Sequence, residues 1–142
     1  MARILGNPGD RYRRIVCEQA LIREAFPFLN PRIRGLELDC RGRIRPTAGC
    51  GLYRVELHYT SGRSPTVRII EPQIERRSEI HIYGDGALCL YDWREQPWSD
   101  KWHLHETIIP WAAEWLVFYE LFLATGKWLG ASAIHGPKSV ST

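Results

Sequence analysis

Lysine is scarce in this sequence: Lys101, Lys127 and Lys138 are the only three among 19 basic residues, and there is a single methionine. Side-chain amines are therefore few. Also missing is any Cys-x-x-Cys pair. Cys17, Cys40, Cys50 and Cys89 stand 23, 10 and 39 residues apart, with no histidine at zinc-ligand spacing beside them, which argues against a metal site. Met1 to Pro8 hold no apolar stretch of signal-peptide length, so the expected compartment is a reducing cytoplasm with free thiols. The most apolar run, Ile108 to Ala124, is interrupted by Glu114 and Glu120 and falls short of the ~20 apolar residues a membrane crossing needs. It reads as a buried helix, and no membrane partner is expected.

The 142 residues fit a single domain, 1–142, with an ordered core over about residues 10–130. A 44% hydrophobic and 25% charged content is that of a globular chain rather than a disordered tail. The net charge of +3 is too mild to imply a nucleic-acid partner. Its distribution is uneven: residues 1–63 carry 12 basic and 6 acidic side chains, residues 64–142 carry 7 and 10. A basic first half reads first as solvated strand faces, with phosphate-backbone binding or, through Arg11, Arg13, Arg14 and Arg23 on the first helix, docking of an acidic protein surface as the functional alternatives. All six tryptophans (Trp93, Trp98, Trp102, Trp111, Trp115 and Trp128) lie within the last 50 residues, which must supply much of the core.

Asp10 is a candidate cap for a helix whose apolar positions Tyr12, Ile15, Val16, Ile22 and Phe26 recur at helical spacing and stop before Pro27. Pro27 to Pro31 reads as a breaker cluster. Leu36, Leu38 and Cys40 then alternate with charged residues as a half-buried strand does. Arg41-Gly42 reads as a turn into a second strand at Arg43 to Arg45, Tyr53 to Tyr59 as the clearest strand, and Val67 to Ile70 as a fourth, stopped by Pro72. Short turns make these an antiparallel meander. From Pro72 to Leu104 the chain is irregular and rich in Gly, Pro and Trp, as long functional loops are. From about Leu104 to Thr125 helical spacing returns, with Gly126 placed to end it; the tail after Gly130 is small and polar and reads as frayed. The order is that of an α+β fold with helices on one sheet face.

Chemistry points to His81-Ile82-Tyr83-Gly84-Asp85-Gly86-Ala87-Leu88-Cys89-Leu90-Tyr91, where a cysteine sits in the irregular segment behind two glycines. Glycines there leave room for a second backbone. The run Gly86-Ala87-Leu88-Cys89-Leu90, followed nine residues after the cysteine by Trp98-Ser99 and then a helix, resembles the active-site segment of ubiquitin-conjugating enzymes. Pro110-Trp111-x-x-Glu114-Trp115-Leu116-x-x-Tyr119-Glu120 and Thr125-Gly126-x-Trp128-Leu129-Gly130 resemble more narrowly the bacterial branch found in antiphage CBASS operons beside a cGAS-like nucleotidyltransferase.

The resemblance implies a ubiquitin-conjugating-enzyme-like fold. It implies a transferase in which Cys89 accepts the C-terminal glycine of a partner protein as a thioester and yields it to an amine of an acceptor protein, with no cofactor. The donor it implies is the nucleotidyltransferase tail or a ubiquitin-like modifier. Eukaryotic members carry a His-Pro-Asn tripeptide that is absent here, and His81 stands at the position of its asparagine. His81 is therefore expected to support the oxyanion or brace the loop, with a Cys-His general-base pair as the alternative. Tyr83, Gly84, Gly86, Leu90 and Trp98 are the expected substrate-binding residues, Trp98 packing under the loop. Asp92 and Asp100 are equal candidates to lower the pKa of an incoming acceptor lysine. His103 and His105 either face the cysteine or are solvated at the helix start. A non-catalytic binding module of the same fold is the competing reading.

Overall fold

The computed structural model describes residues 7–130; Lys138 and the tail after Gly130 lie outside them. It contains an N-terminal helix, four antiparallel strands and a C-terminal helix. Helix α1 spans Pro8–Ala25 and strands β1 to β4 span Asn30–Arg34, Glu37–Ile44, Tyr53–Thr60 and Thr66–Glu71, in the sheet order β1-β2-β3-β4. An irregular segment with one short 3-10 turn at Ser78–Ile80 leads to helix α2, Ile108–Thr125.

The cap of α1 differs from expectation. Asn7, not Asp10, is the cap: its side chain accepts the Asp10 N–H at 2.9 Å, while Asp10 sits in the first turn, where a carboxylate favours the helix dipole. The buried stripe is also shifted. Tyr12 and Val16 are exposed, and the inward positions are Ile15, Glu18 and Ile22, at spacings of three and four.

The four expected strands are divided differently as well. Arg41-Gly42 makes no turn; it lies inside β2, paired with Glu56 and Val55 of β3. The first strand is β1, in the stretch read as a breaker cluster. Gly42 explains the difference: a Cβ there would lie 2.5 Å from Leu29 Cδ2 and 3.2 Å from Leu29 Cα. The glycine lets the chain cross β2 closely on its way from α1 into β1, which is a packing role and not a turning one.

One sheet face is apolar and one charged. Leu38, Cys40 and Ile44 of β2, Tyr53, Val55, Leu57 and Tyr59 of β3 and Val67 of β4 are buried in a single core with Ile15 and Ile22 of α1 and Trp115, Leu116, Tyr119 and Phe122 of α2. Desolvation there pushes the Cys40 thiol up to about 11. On the outer face the arginines meet acids across strands: Arg41 with Glu56 at 2.7 Å, Arg34 with Asp39 at 3.1 Å and Arg54 with Glu71 at 3.4 Å. Burial alone would raise Asp39, but hydrogen bonds from His58 and Arg34 outweigh it and hold its carboxyl below the usual value. Three of the twelve arginines of the first half are thus paired on the sheet.

Helix α2 ends as expected, with Gly126 in the left-handed region at φ 77°. It begins at Ile108, four residues later than expected, and Pro110 falls in its first turn, where the missing N–H costs nothing. Its inward face is Ile108, Ile109, Ala112, Trp115, Leu116, Tyr119 and Phe122. Glu120 reaches back to the sheet, accepting from the Tyr53 hydroxyl at 2.9 Å and the Gly51 N–H at 2.7 Å.

Candidate active site

Residues 81–89 form a tight hairpin. Ile82 pairs with Leu88, the Tyr83 N–H donates to the Ala87 carbonyl at 2.8 Å, and the Gly86 N–H closes the turn on the Tyr83 carbonyl at 2.9 Å. Gly86 has φ 90°, a conformation that disfavours any side chain. Asp85 fixes the tip, accepting the Ala87 N–H at 3.0 Å and pairing with Arg68 of β4 at 2.9 Å. The Leu88 N–H donates to the Val67 carbonyl at 2.9 Å, which ties the hairpin to β4.

Cys89 follows directly. Leu88 and Leu90 on either side of it are buried, and Cys89 itself is half-buried. This alternation anchors the segment in the core through the leucines while leaving the cysteine accessible. The Cys89 N–H donates to the His81 carbonyl at 3.2 Å, which brings the two sequence candidates together through the backbone. The His81 ring packs edge-on against Trp128 with centroids 5.4 Å apart, and the Trp115 indole N–H donates to the His81 carbonyl at 3.3 Å. Desolvation lowers the His81 pKa, favouring neutral imidazole. His81 is also the only non-glycine among the described residues with positive φ, at 50°, a conformation costing roughly 1–2 kcal/mol that its surroundings must supply.

Tyr83 approaches the thiol with its hydroxyl. Burial and the hydrogen bond with Cys89 raise the Tyr83 pKa. For Cys89, burial pushes the thiol up, the Tyr83 hydrogen bond pulls it down, Asp92 raises it and Arg94 lowers it, for a net upward shift. The sequence left Asp92 and Asp100 level. In the structure Asp92 acts on Cys89, whereas the carbonyl of Asp100 accepts from Arg14 of α1.

A groove of about 390 Å³ lies beside this segment, walled by Pro65, Val67, Tyr83, Leu90, Tyr91 and Trp93, with Gly84 on its edge. A Cβ on Gly84 or Gly86 would meet nothing within 4 Å, so both open onto free space. Tyr83, Gly84 and Leu90 line the groove and Gly86 turns the hairpin; Cys89 lies between the lining residues Leu88 and Leu90 and is not itself among those that line it. Trp98 lies behind them in the core, packed on Tyr91 at 6.4 Å, Tyr59 at 6.2 Å and Trp102 at 5.2 Å.

His103 neither faces the cysteine nor stands free in solvent. It contacts Glu18 of α1 at 2.7 Å; Glu18 is fully buried, also accepts the Leu104 N–H at 2.8 Å and lies 3.5 Å from the Arg14 guanidinium. Arg14 donates to the carbonyls of Asp100 and Trp102. Arg14 is thus committed to the fold, which leaves less of a basic docking face on α1 than expected. The signal in the sequence was a glutamate midway between Ile15 and Ile22 on the apolar stripe.

The family described as Type II CBASS E2 protein (E2-CBASS) matches residues 18–136, most of the chain and all of this site. No curated protein matches the chain.

Proposed function

Because the chain belongs to the Type II CBASS E2 protein family, an E2-like group acting with CBASS components, we propose that it has a ubiquitin-conjugating-enzyme-like fold and is a thioester-forming conjugating enzyme of bacterial antiphage defence, working in the cytoplasm. The observation that carries the reading is the half-buried Cys89, held at the end of a hairpin beside an open groove. In the proposed reaction the Cys89 thiolate attacks the C-terminal carbonyl of a donor protein already activated as an acyl-adenylate or thioester. The sulfur–acyl bond forms as the activating group leaves. An acceptor amine then attacks the thioester carbonyl, loses its proton and returns the thiolate. Sulfur serves both steps because it attacks well and leaves well.

The donor in this reading is the C-terminal tail of a cGAS-like nucleotidyltransferase, laid along residues 81–90 with its terminal carbonyl at Cys89. Gly84 and Gly86 leave the tail its room. His81 supports the oxyanion or the loop, and Asp92 takes the proton of the acceptor amine. His81→Ala is expected to slow transfer by about 10²-fold, as loss of one oxyanion donor does, with the melting temperature little changed. A normal rate would return His81 to a purely structural role.

The test is mass spectrometry of Cys89 adducts from cells holding the neighbouring genes. Wild type is expected to give an adduct released by reducing agent, and Cys89→Ser one that resists it. Full activity of Cys89→Ala would overturn the assignment. Deleting the last residues of the nucleotidyltransferase is expected to abolish the adduct; an unchanged rate would make a ubiquitin-like modifier the donor. The upward shift of the Cys89 thiol favours one second reading, a non-catalytic module that binds such tails. Tail binding that survives Cys89→Ala, with no adduct on the wild type, would select it.

A further inference from the structure

The segment after α2 folds back toward the candidate site. Thr125 Oγ1 donates to the Leu121 carbonyl at 2.8 Å and accepts the Lys127 N–H at 3.2 Å, while Gly126 turns the chain at φ 77°. Trp128 then lies on three rings, Trp115 at 5.4 Å, Phe118 at 5.9 Å and His81 at 5.4 Å. Gly130 makes the fit possible: a Cβ there would lie 3.1 Å from Phe118 and 3.2 Å from Trp128 Nε1. Trp115 and Trp128 thus hold His81 from two sides, one through its carbonyl and one through its ring.

We infer that Trp128 is a positioning residue for Cys89: by packing on the His81 ring it keeps His81 in its left-handed conformation, from which the His81 carbonyl holds the Cys89 N–H. Its consequence for catalysis rests on the thioester reading; the positioning itself does not. The groups brought against His81 by neighbouring elements are Trp115, Trp128 and Cys89, and on its own side of the hairpin Arg77 and Glu79 pair with each other at 3.5 Å. Burial lowers the His81 pKa, and the Trp128 indole is one of the groups packed on its ring.

The test compares Trp128→Ala, Trp128→Phe and Gly130→Ala in the full chain, using hydrogen exchange of the Cys89 amide and an NMR titration of the His81 imidazole. Trp128→Ala is expected to speed Cys89 amide exchange by about tenfold or more and to move the His81 midpoint up toward that of an ordinary histidine. Trp128→Phe should restore both, and Gly130→Ala, which crowds the same contact without removing the ring, should move both part of the way. In single-turnover transfer, Trp128→Ala is expected to lower kcat by roughly 10- to 100-fold with little change in KM. A folded Trp128→Ala with unchanged amide exchange and an unchanged His81 midpoint would overturn the inference. If that variant does not fold, unchanged values in Gly130→Ala would do the same. Exchange and titration need no donor, so a Cys89 that never forms an adduct would refute the reaction while leaving the positioning to these two readouts.

Discussion

The sheet of residues 30–71 and the region of residues 72–130 are fixed by different kinds of bond. In the sheet, backbone hydrogen bonds run continuously from β1 to β4, and the outward side chains form exposed ion pairs. From residue 72 to α2 regular structure is limited to one short 3-10 turn and bridge residues at Ile82, Leu88 and Tyr91, so beyond the backbone bonds of the 81–89 hairpin much of the conformation is set by individual side chains. These include an aromatic network of Tyr91, Trp98, Trp102 and Trp111, the Glu18 cluster that ties α1 to the entry of α2, and the Trp115–Trp128 grip on His81. A ladder spreads its free energy over many equivalent bonds, whereas a side-chain network concentrates it in a few. Single substitutions should therefore act far more strongly in the second region, and there they should reach the chemistry.

The largest expected effect is at the join between the two regions. Glu18 is fully buried among His103, the Leu104 N–H and Arg14, so Glu18→Ala leaves an unpaired buried amide and removes the acidic partner of His103 and of the half-buried Arg14 guanidinium. A loss of about 3–5 kcal/mol in chemical denaturation is expected; less than about 1 kcal/mol would mean water replaces the carboxylate and the join is not cooperative.

A smaller loss is expected within the sheet, at the one place where the ladder depends on a side chain being absent. Gly42→Ala puts a Cβ against Leu29, and overpacking of this kind costs about 1–3 kcal/mol. Urea unfolding measures it. No loss would show that the crossing into β1 yields freely, and the contrast between the regions would weaken.

The smallest effect on stability and the clearest on reactivity is expected at Tyr83. Its hydroxyl lowers the Cys89 pKa against the larger effect of burial, so Tyr83→Phe should move the iodoacetamide alkylation profile of Cys89, read on its peptide, to higher pH. Asp92→Asn should move it to lower pH, because that charge opposes the thiolate. The linkage has a defined sign. A thiol whose folded pKa is raised contributes stability below its unfolded pKa and loses it as pH rises through the folded value. Unmoved profiles in both variants would separate these groups from the cysteine.

Much of the site was legible because its signals are local. A cysteine behind two glycines in an irregular stretch marks the address, whereas the hairpin around Gly86 and the anchoring by buried Leu88 and Leu90 appear only in the structure. Asp92 and Asp100 could not be ranked from the sequence, because both lie near Cys89 along the chain and only the path of the loop separates their surroundings. The Arg41-Gly42 misreading has a similar origin: glycine marks either a turn or a close approach, and only the position of Leu29 tells which.

The sequence by itself determined the α+β order, the helix stop at Gly126, the single apolar face of β3 and the address of the cysteine, all of which follow from periodicity and backbone preference within a few residues. Tertiary structure alone decided that Glu18 faces inward to meet His103, 85 positions away, that Trp128 lies on His81, and that β1 forms where prolines cluster. Those outcomes depend on which surfaces remain to be covered once the sheet and helices have formed. Burial and pairing between distant residues settle them, and no local pattern records which distant residue will be there.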